Sequence, residues 1–124
     1  MRRVETKRAT AAIGPYSQAI EAADLVFVSG QLPTDPGTGE VVSGGIAAQT
    51  AQAAANVAAV LEAAGSDLSR VVKTTCFLAD LNDFEKFNAE YAEHFISDPA
   101  RECVQAAKLP KNALVEISAI AEAR

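Results

Sequence analysis

Three side chains near the C-terminus have types and a spacing that could support acid–base chemistry. Arg101 and Cys103 are two residues apart, so on a β-strand they project from the same face. Glu116 lies in a second stretch that is otherwise almost entirely apolar. If the two stretches pair as a hairpin centred between Lys108 and Leu109, Arg101 faces Glu116. A guanidinium, a thiol and a carboxylate would then converge in one small region.

The apolar surroundings of Glu116 allow two interpretations. A carboxylate in such a strand is desolvated unless a cation pairs with it, and desolvation raises its pKa and makes it a better general base near neutrality. The same geometry also fits a cross-strand ion pair between Arg101 and Glu116 that performs no chemistry. The residue pattern alone leaves both interpretations open.

The remaining candidate nucleophiles and ligands are less well supported. Cys103 could attack a substrate, but the only imidazole belongs to His94, whose place in the pattern predicts a solvated surface side chain. A small apolar lining role for Cys103 is favoured. The single histidine and the two scattered cysteines, Cys76 and Cys103, are too few for a metal site. Ser29 and Gly30 follow an apolar run and could offer backbone N–H groups to an anion, or could simply end a strand in a turn.

The composition is typical of one globular domain spanning residues 1–124. The chain is 49% hydrophobic and 22% charged, and no apolar run approaches the length of a membrane span. Its formal net charge of −5 does not favour generic binding of nucleic acid. The basic N-terminus lacks the apolar region of a secretory signal, and two cysteines cannot form a disulfide framework. We therefore expect a cytoplasmic protein with free thiols and no membrane partner.

Hydrophobic periodicity predicts an α+β domain with two helices. The clearest helix, Ile46–Ala64, ends ahead of Gly65, and a second helix begins at a capping box formed by Asn82 and Glu85. The predicted strands, in chain order, are 16–22, 25–28, 71–78, 101–106 and 114–120. The two helices are expected to cover one face of a mixed sheet. Because strand 71–78 is partly apolar on both faces, the other face needs a partner subunit.

Four segments of the chain resemble the reactive intermediate deaminase A family (RidA, also called YjgF). They are AIGPYSQAI at 12–20, VSGQLPTDPGTGE at 28–40, AAGSDLSRVVKTTCFLADLNDFEKFN at 63–88 and PARECVQAAKLPKNALVEISAIA at 99–121. The resemblance implies a chorismate-mutase-like fold and a homotrimer with a central β-barrel, with its sites in clefts between neighbouring subunits. It also implies hydrolysis of reactive enamines and imines, such as 2-aminoacrylate, 2-iminopropanoate and 2-iminobutanoate, to 2-keto acids and ammonia, without a cofactor or metal.

The site residues of that family match positions of this chain. The substrate-binding and cleft-lining residues of the family match Arg101, Gly30 and Asn88, and Ser29 lies next to the matching glycine. Those that correspond to catalytic residues are Glu116, Cys103 and Tyr16. By this resemblance Arg101 anchors the substrate carboxylate and Glu116 activates the attacking water.

The chain also departs from the family pattern, and other functions stay open. Glu102 stands where the family has Ser or Thr, Thr10 replaces a frequent proline, and the stretch 94–100 is shorter than in well-known members. Because that stretch borders the cleft, it bears on substrate size. One alternative is an endoribonuclease or translation-inhibitor activity, against which the acidic charge and the single histidine count. Another is a non-catalytic trimer that binds small carboxylates.

Overall fold

The computed structural model describes all 124 residues and has the α+β architecture that the periodicity predicts. Its elements are β1 (Arg2–Val4), β2 (Ala19–Ala22), β3 (Leu25–Gln31), α1 (Gly45–Ala63), β4 (Val71–Leu78), α2 (Phe84–His94), β5 (Ala100–Gln105) and β6 (Val115–Glu122). The strands form one sheet in the order β1-β2-β3-β6-β4-β5. Neighbouring strands are antiparallel except β4 and β5, which are parallel. The mixed sheet is thus confirmed.

Both helices lie on the same face of the sheet, as predicted. On α1, Ala53, Ala54 and Val57 are completely buried, and the small alanine side chains let the helix approach the strands closely. On α2, Phe87 and Tyr91 are buried against the same core. This face, referred to below as the helix face, contains the hydrophobic core.

The end of α1 follows the sequence signal, whereas the start of α2 does not. Gly65 has a φ of +84°, and its N–H donates to the carbonyl of Glu62 at 3.0 Å while the next N–H, of Ser66, donates to Leu61 at 2.9 Å. This is a Schellman cap, in which glycine adopts the left-handed conformation without a steric penalty. The predicted capping box at Asn82 is wrong. The Asp80 carboxylate instead accepts the Asn82 N–H at 2.8 Å and starts a short 3-10 turn that leads into α2.

The predicted hairpin between β5 and β6 is wrong. β6 lies between β3 and β4, and β5 pairs only with β4, so β5 and β6 are not neighbours. β4, α2 and β5 form a parallel βαβ unit, and the chain then passes β4 to reach the centre of the sheet. β5 is almost entirely exposed and half of its residues are polar, which suits an edge strand, whereas every second residue of β6 is buried.

The face of the sheet opposite the helices, the open face, is partly apolar and uncovered. Phe27 and Val104 are 42% and 48% exposed, and half-buried Phe77 and Ile120 lie between them in the strand order. Apolar side chains grouped on one uncovered sheet face are typical of an interface. In the fold as a whole, neither helix is both long and apolar enough to cross a membrane.

Candidate functional site

Arg101 is held on the helix face by uncharged groups alone. Its Nη1 donates to Oδ1 of Asn88 at 2.7 Å. Its Cζ lies 4.9 Å from the centroid of the Tyr91 ring, and the Phe84 and Phe87 rings are 5.5 and 5.9 Å away. Arg101 takes part in none of the ion pairs of the chain. An exposed guanidinium that is oriented by an amide and aromatic rings keeps N–H groups free for an anionic ligand.

The aromatic platform under Arg101 is fixed by the sheet. The hydroxyl of Tyr91 lies 2.6 Å from Oγ1 of Thr74, which is the residue opposite Arg101 on β4. Burial raises the pKa of Tyr91, with the Thr74 hydrogen bond opposing the shift, so the phenol stays protonated in neutral solution. The ring therefore cannot turn away without breaking a buried hydrogen bond. Tyr91 is thus both a buried core residue and a support for the guanidinium.

Cys103 is placed to line the site but not to attack a substrate. It lies two residues beyond Arg101 on the same face of β5, opposite the buried Cys76. Burial raises the pKa of the Cys103 thiol, and the nearby Arg101 only partly opposes that shift. The thiol is thus protonated near neutrality, and no imidazole is at hand, because His94 bonds Glu90 at 2.8 Å. These contacts favour the lining role over the nucleophilic one.

Glu116 lies on the open face, with its carboxylate against Gly30. A Cβ atom on Gly30 would stand 2.9 Å from Cδ of Glu116 and closer still to Oε2. This close approach occurs at a β-bulge, where β3 places an extra residue between the pairs Val28–Ala119 and Gln31–Ile117. Burial raises the pKa of Glu116, and no cation pairs with it. A desolvated, unpaired carboxylate of this kind can take a proton from water near neutrality.

Tyr16 and Gly30 border a common cleft of about 170 Å³. Tyr16 is 53% exposed, and the loop that carries it is tied to β3 by Ser29, whose Oγ donates to the carbonyl of Ser17 at 2.6 Å. Ser29 therefore uses its hydroxyl proton to position the loop. Only the backbone of Ser29 could therefore contact a ligand as predicted.

The seven predicted site residues thus form two separate groups in the chain. The first group lies on the helix face and consists of Arg101, Asn88 and Cys103; the second lies at the open face and the β3 bulge and consists of Glu116, Gly30, Ser29 and Tyr16. The predicted convergence of Arg101 and Glu116 through a hairpin is wrong, because the two strands are separated by β4 and the two side chains belong to opposite faces. The alternative of a structural ion pair between them is wrong for the same reason.

Comparison with known proteins identifies the family. The sequence profile of the family described as Endoribonuclease L-PSP matches residues 6–123. The chain belongs to this family, which is also known as the RidA (YjgF) family. A RutC family protein of Pyrococcus horikoshii is 53% identical over 94% of this chain and 93% of its own length.

Two further RidA-family relatives carry the name 2-iminobutanoate/2-iminopropanoate deaminase. The human protein is 47% identical over 95% of this chain and 87% of its own length. The Escherichia coli K12 protein is 47% identical over 98% of this chain and 97% of its own length.

Solved structures of the RidA family have the same fold. The crystal structure of E. coli TdcF with bound serine superposes with a TM-score of 0.92 at 42% identity, covering 98% of both chains. That of the E. coli YjgF gene product superposes with a TM-score of 0.93 at 44% identity, covering 100% of both. The predicted resemblance to this family and its α+β fold is thereby confirmed.

One supporting residue of the candidate site was missed by the sequence analysis. Gln18 is buried, and its Nε2 donates to the carbonyls of Thr6 at 3.0 Å and Thr10 at 2.8 Å while its Oε1 accepts the Thr6 N–H at 2.7 Å. Gln18 thereby folds the loop that presents Tyr16. The available signal was a glutamine two residues after a candidate tyrosine and directly before β2.

Proposed function

We propose that this chain hydrolyses small 2-imino acids and their enamine tautomers to 2-keto acids and ammonia, with 2-iminopropanoate and 2-iminobutanoate as the reference substrates. Relatives named for this activity align with nearly the whole chain. The serine in the TdcF crystal is a small molecule of matching size that also carries a carboxylate. An arginine without a carboxylate partner fits such ligands.

The observation that carries the proposal is that the arginine and the glutamate are both unpaired and lie on opposite faces of one sheet. The Arg101 guanidinium has no anionic partner, and burial alone raises the pKa of Glu116. No charge partner offsets the desolvation of Glu116, so its charge does not serve stability. Since one chain cannot bring them together, we infer that each site takes Arg101 from one subunit and Glu116 from the next.

The open face supports an assembly that could build such sites. Its exposed apolar residues, among them Phe27 and Val104, would be buried where the sheets of neighbouring copies meet. We propose a homotrimer in which the three open faces form a central β-barrel. Its cyclic symmetry then repeats one interface, and one shared site, three times.

In the proposed mechanism, Arg101 grips the substrate carboxylate with two parallel hydrogen bonds while Asn88 holds the guanidinium. The backbone at Gly30 and the hydroxyl of Tyr16 border a different cleft of the chain, and in the proposed trimer the neighbouring subunit brings them to the substrate. The enamine tautomerises to the imine, and Glu116 takes a proton from a water that attacks the imine carbon. Collapse of the carbinolamine returns a proton to nitrogen and releases ammonia. The general base alone contributes a rate factor of about 10²–10⁴, and positioning by the guanidinium adds to it.

The test is the clearance of a freshly generated imine. A pyridoxal-phosphate-dependent dehydratase produces 2-aminoacrylate or its four-carbon homologue, and the loss of the imine is followed with and without the purified protein. We expect the protein to accelerate formation of the 2-keto acid in proportion to its concentration. Binding of the keto acid without acceleration would instead favour the non-catalytic trimer. RNA cleavage that persists through repurification and is lost with Arg101→Ala would favour the ribonuclease.

The close packing of Gly30 on Glu116 gives a separate prediction. Gly30→Ala places a methyl group where the Glu116 carboxylate lies, so the carboxylate must move. A displacement of about 1 Å in a reacting group can cost on the order of 10²-fold in rate, and we expect a loss in kcat of about that size. Gly37→Ala is the matched control, because Gly37 lies in the 33–40 loop and its added Cβ would meet only the side chain of Asp35. If Gly30→Ala keeps the wild-type kcat, Glu116 does not act as the general base.

A further inference from the structure

The cleft beside Arg101 also contains a carboxylate. It has a volume of about 440 Å³ and is lined by Asn88, Tyr91, Ala92, Phe95, Asp98, Pro99 and Arg101. Asp98 takes part in no ion pair, with Arg101 or with any other cation. The cleft therefore presents one fixed positive charge and one fixed negative charge that do not neutralise each other.

The backbone of Asp98 is held in place. Its φ is +49°, a left-handed conformation that residues with a Cβ seldom adopt. The preceding Ser97 ties the segment to the sheet, because its Oγ donates to the carbonyl of Val71 at 2.7 Å. Pro99 restricts the chain on the other side. This is the stretch that the sequence analysis found to be shorter than in well-known family members.

Part of the lining of this cleft is apolar. The rings of Tyr91 and Phe95 stack with their centroids 4.5 Å apart, and Ala92 also lines the cleft. Asp98 and Arg101 are three residues apart, so their Cα atoms are at most roughly 10 Å from each other. This upper limit on the Cα separation is comparable to the length of an extended basic amino acid.

We propose that Asp98 selects substrates by side-chain charge and that the site favours 2-imino acids whose aliphatic side chain ends in a cation. This inference rests on the proposed function. The substrate carboxylate neutralises Arg101, and the imine carbon must face Glu116, which lies outside this cleft. The side chain is the part of the substrate left to run over Tyr91 and Phe95, and its terminal group reaches Asp98.

The reaction itself is unchanged. Water adds to the C=N carbon, the C–N bond breaks, and a 2-keto acid and ammonia leave, so no oxidant or further reactant enters the step. Only binding of the side chain depends on Asp98. Two unit charges about 5 Å apart near a solvated surface attract enough to change kcat/KM by about 3- to 10-fold.

A pair of nearly isosteric substrates tests this charge selection. A flavin-dependent L-amino-acid oxidase converts arginine and citrulline to imines that differ in ending with a guanidinium or a neutral ureido group. We expect wild-type kcat/KM to be about 3- to 10-fold higher for the arginine-derived imine, and Asp98→Asn to bring that ratio close to one. Asparagine tolerates the left-handed conformation, so the variant keeps the backbone.

Asp24→Asn is the matched control. Asp24 is also exposed and left-handed, with a φ of +60°, but it lies in the turn between β2 and β3. We expect this variant to keep both the wild-type ratio and the wild-type rate with 2-iminopropanoate. An unchanged ratio in Asp98→Asn, with 2-iminopropanoate still hydrolysed, would overturn the charge selection alone. Failure of the wild-type protein to accelerate hydrolysis of 2-iminopropanoate would overturn the proposed function, and this inference with it.

Discussion

Arg101→Ala is expected to lower kcat/KM for 2-iminopropanoate by about 10²-fold or more, because each hydrogen bond to a charged group contributes about 1.5–3 kcal/mol and the variant removes two. Arg101→Lys is expected to recover only part of that loss, since an ammonium is a point charge without the planar fork of a guanidinium. Stopped-flow or coupled assays of imine loss across substrate concentrations measure both.

The folded state should tolerate these changes at Arg101. The side chain is exposed and forms no ion pair, so the melting temperature should stay near that of the wild type. Arg124→Ala, which removes an exposed arginine and its 3.5 Å ion pair with Glu21, is the control for loss of one positive charge. If Arg101→Ala clears the imine at the wild-type rate, the anchoring role of Arg101 is wrong.

Glu116→Gln is expected to abolish most of the activity while making the protein more stable. Removing the general base should lower kcat by about 10²–10⁴-fold. In the wild-type enzyme, kcat/KM should fall as the pH is lowered through the raised pKa of Glu116, because the protonated carboxyl cannot accept a proton from water. A pH–rate profile of the wild type and the variant checks both statements.

The stability gain has a defined pH range. Burial raises the pKa of Glu116, so the folded chain binds this proton more tightly than the unfolded chain does. The stabilisation from the proton is complete below the unfolded pKa and is lost as the pH rises through the folded pKa. Glu116→Gln should therefore melt above the wild type at neutral pH, and the difference should vanish in acid.

Glu122→Gln is the matched control, since Glu122 lies on the same strand and face but is exposed. We expect its melting temperature and its activity to follow the wild type. A melting temperature of Glu116→Gln at or below that of the wild type at neutral pH would mean that the carboxylate is not desolvated. A desolvated group that is retained despite this cost is the pattern expected of a catalytic side chain.

Local features of this fold were predictable from sequence, and strand pairing was not. The stripe along α1 and the glycine at position 65 act within a few residues, so the pattern alone places that helix and its end. The neighbours of Glu116 likewise predict its desolvation. The partner of a strand is set by the whole sheet, and the chain passes β4 between β5 and β6, so two consecutive strands resembled a hairpin that does not form.

The composition of the site was likewise only partly readable. Arg101 and Glu116 stand out by type and by surroundings, whereas Asn88 was found through the family resemblance alone. The polar character of β5 was the available sign that it lies at an edge, and a strand, a helix and a strand in succession were the sign of a parallel pair. Both signs together would have excluded the single-chain site and favoured a shared one.

The most direct test of the shared site uses Arg101→Ala and Glu116→Gln together. Each variant alone should be nearly inactive, and the two are unfolded, mixed in equal amounts and refolded beside a wild-type reference. In random mixed trimers, about one quarter of the sites would join an intact Arg101 from one subunit to an intact Glu116 from the next, so about a quarter of the wild-type activity should return. Activity that stays at the level of the separate variants would contradict a site divided between two subunits.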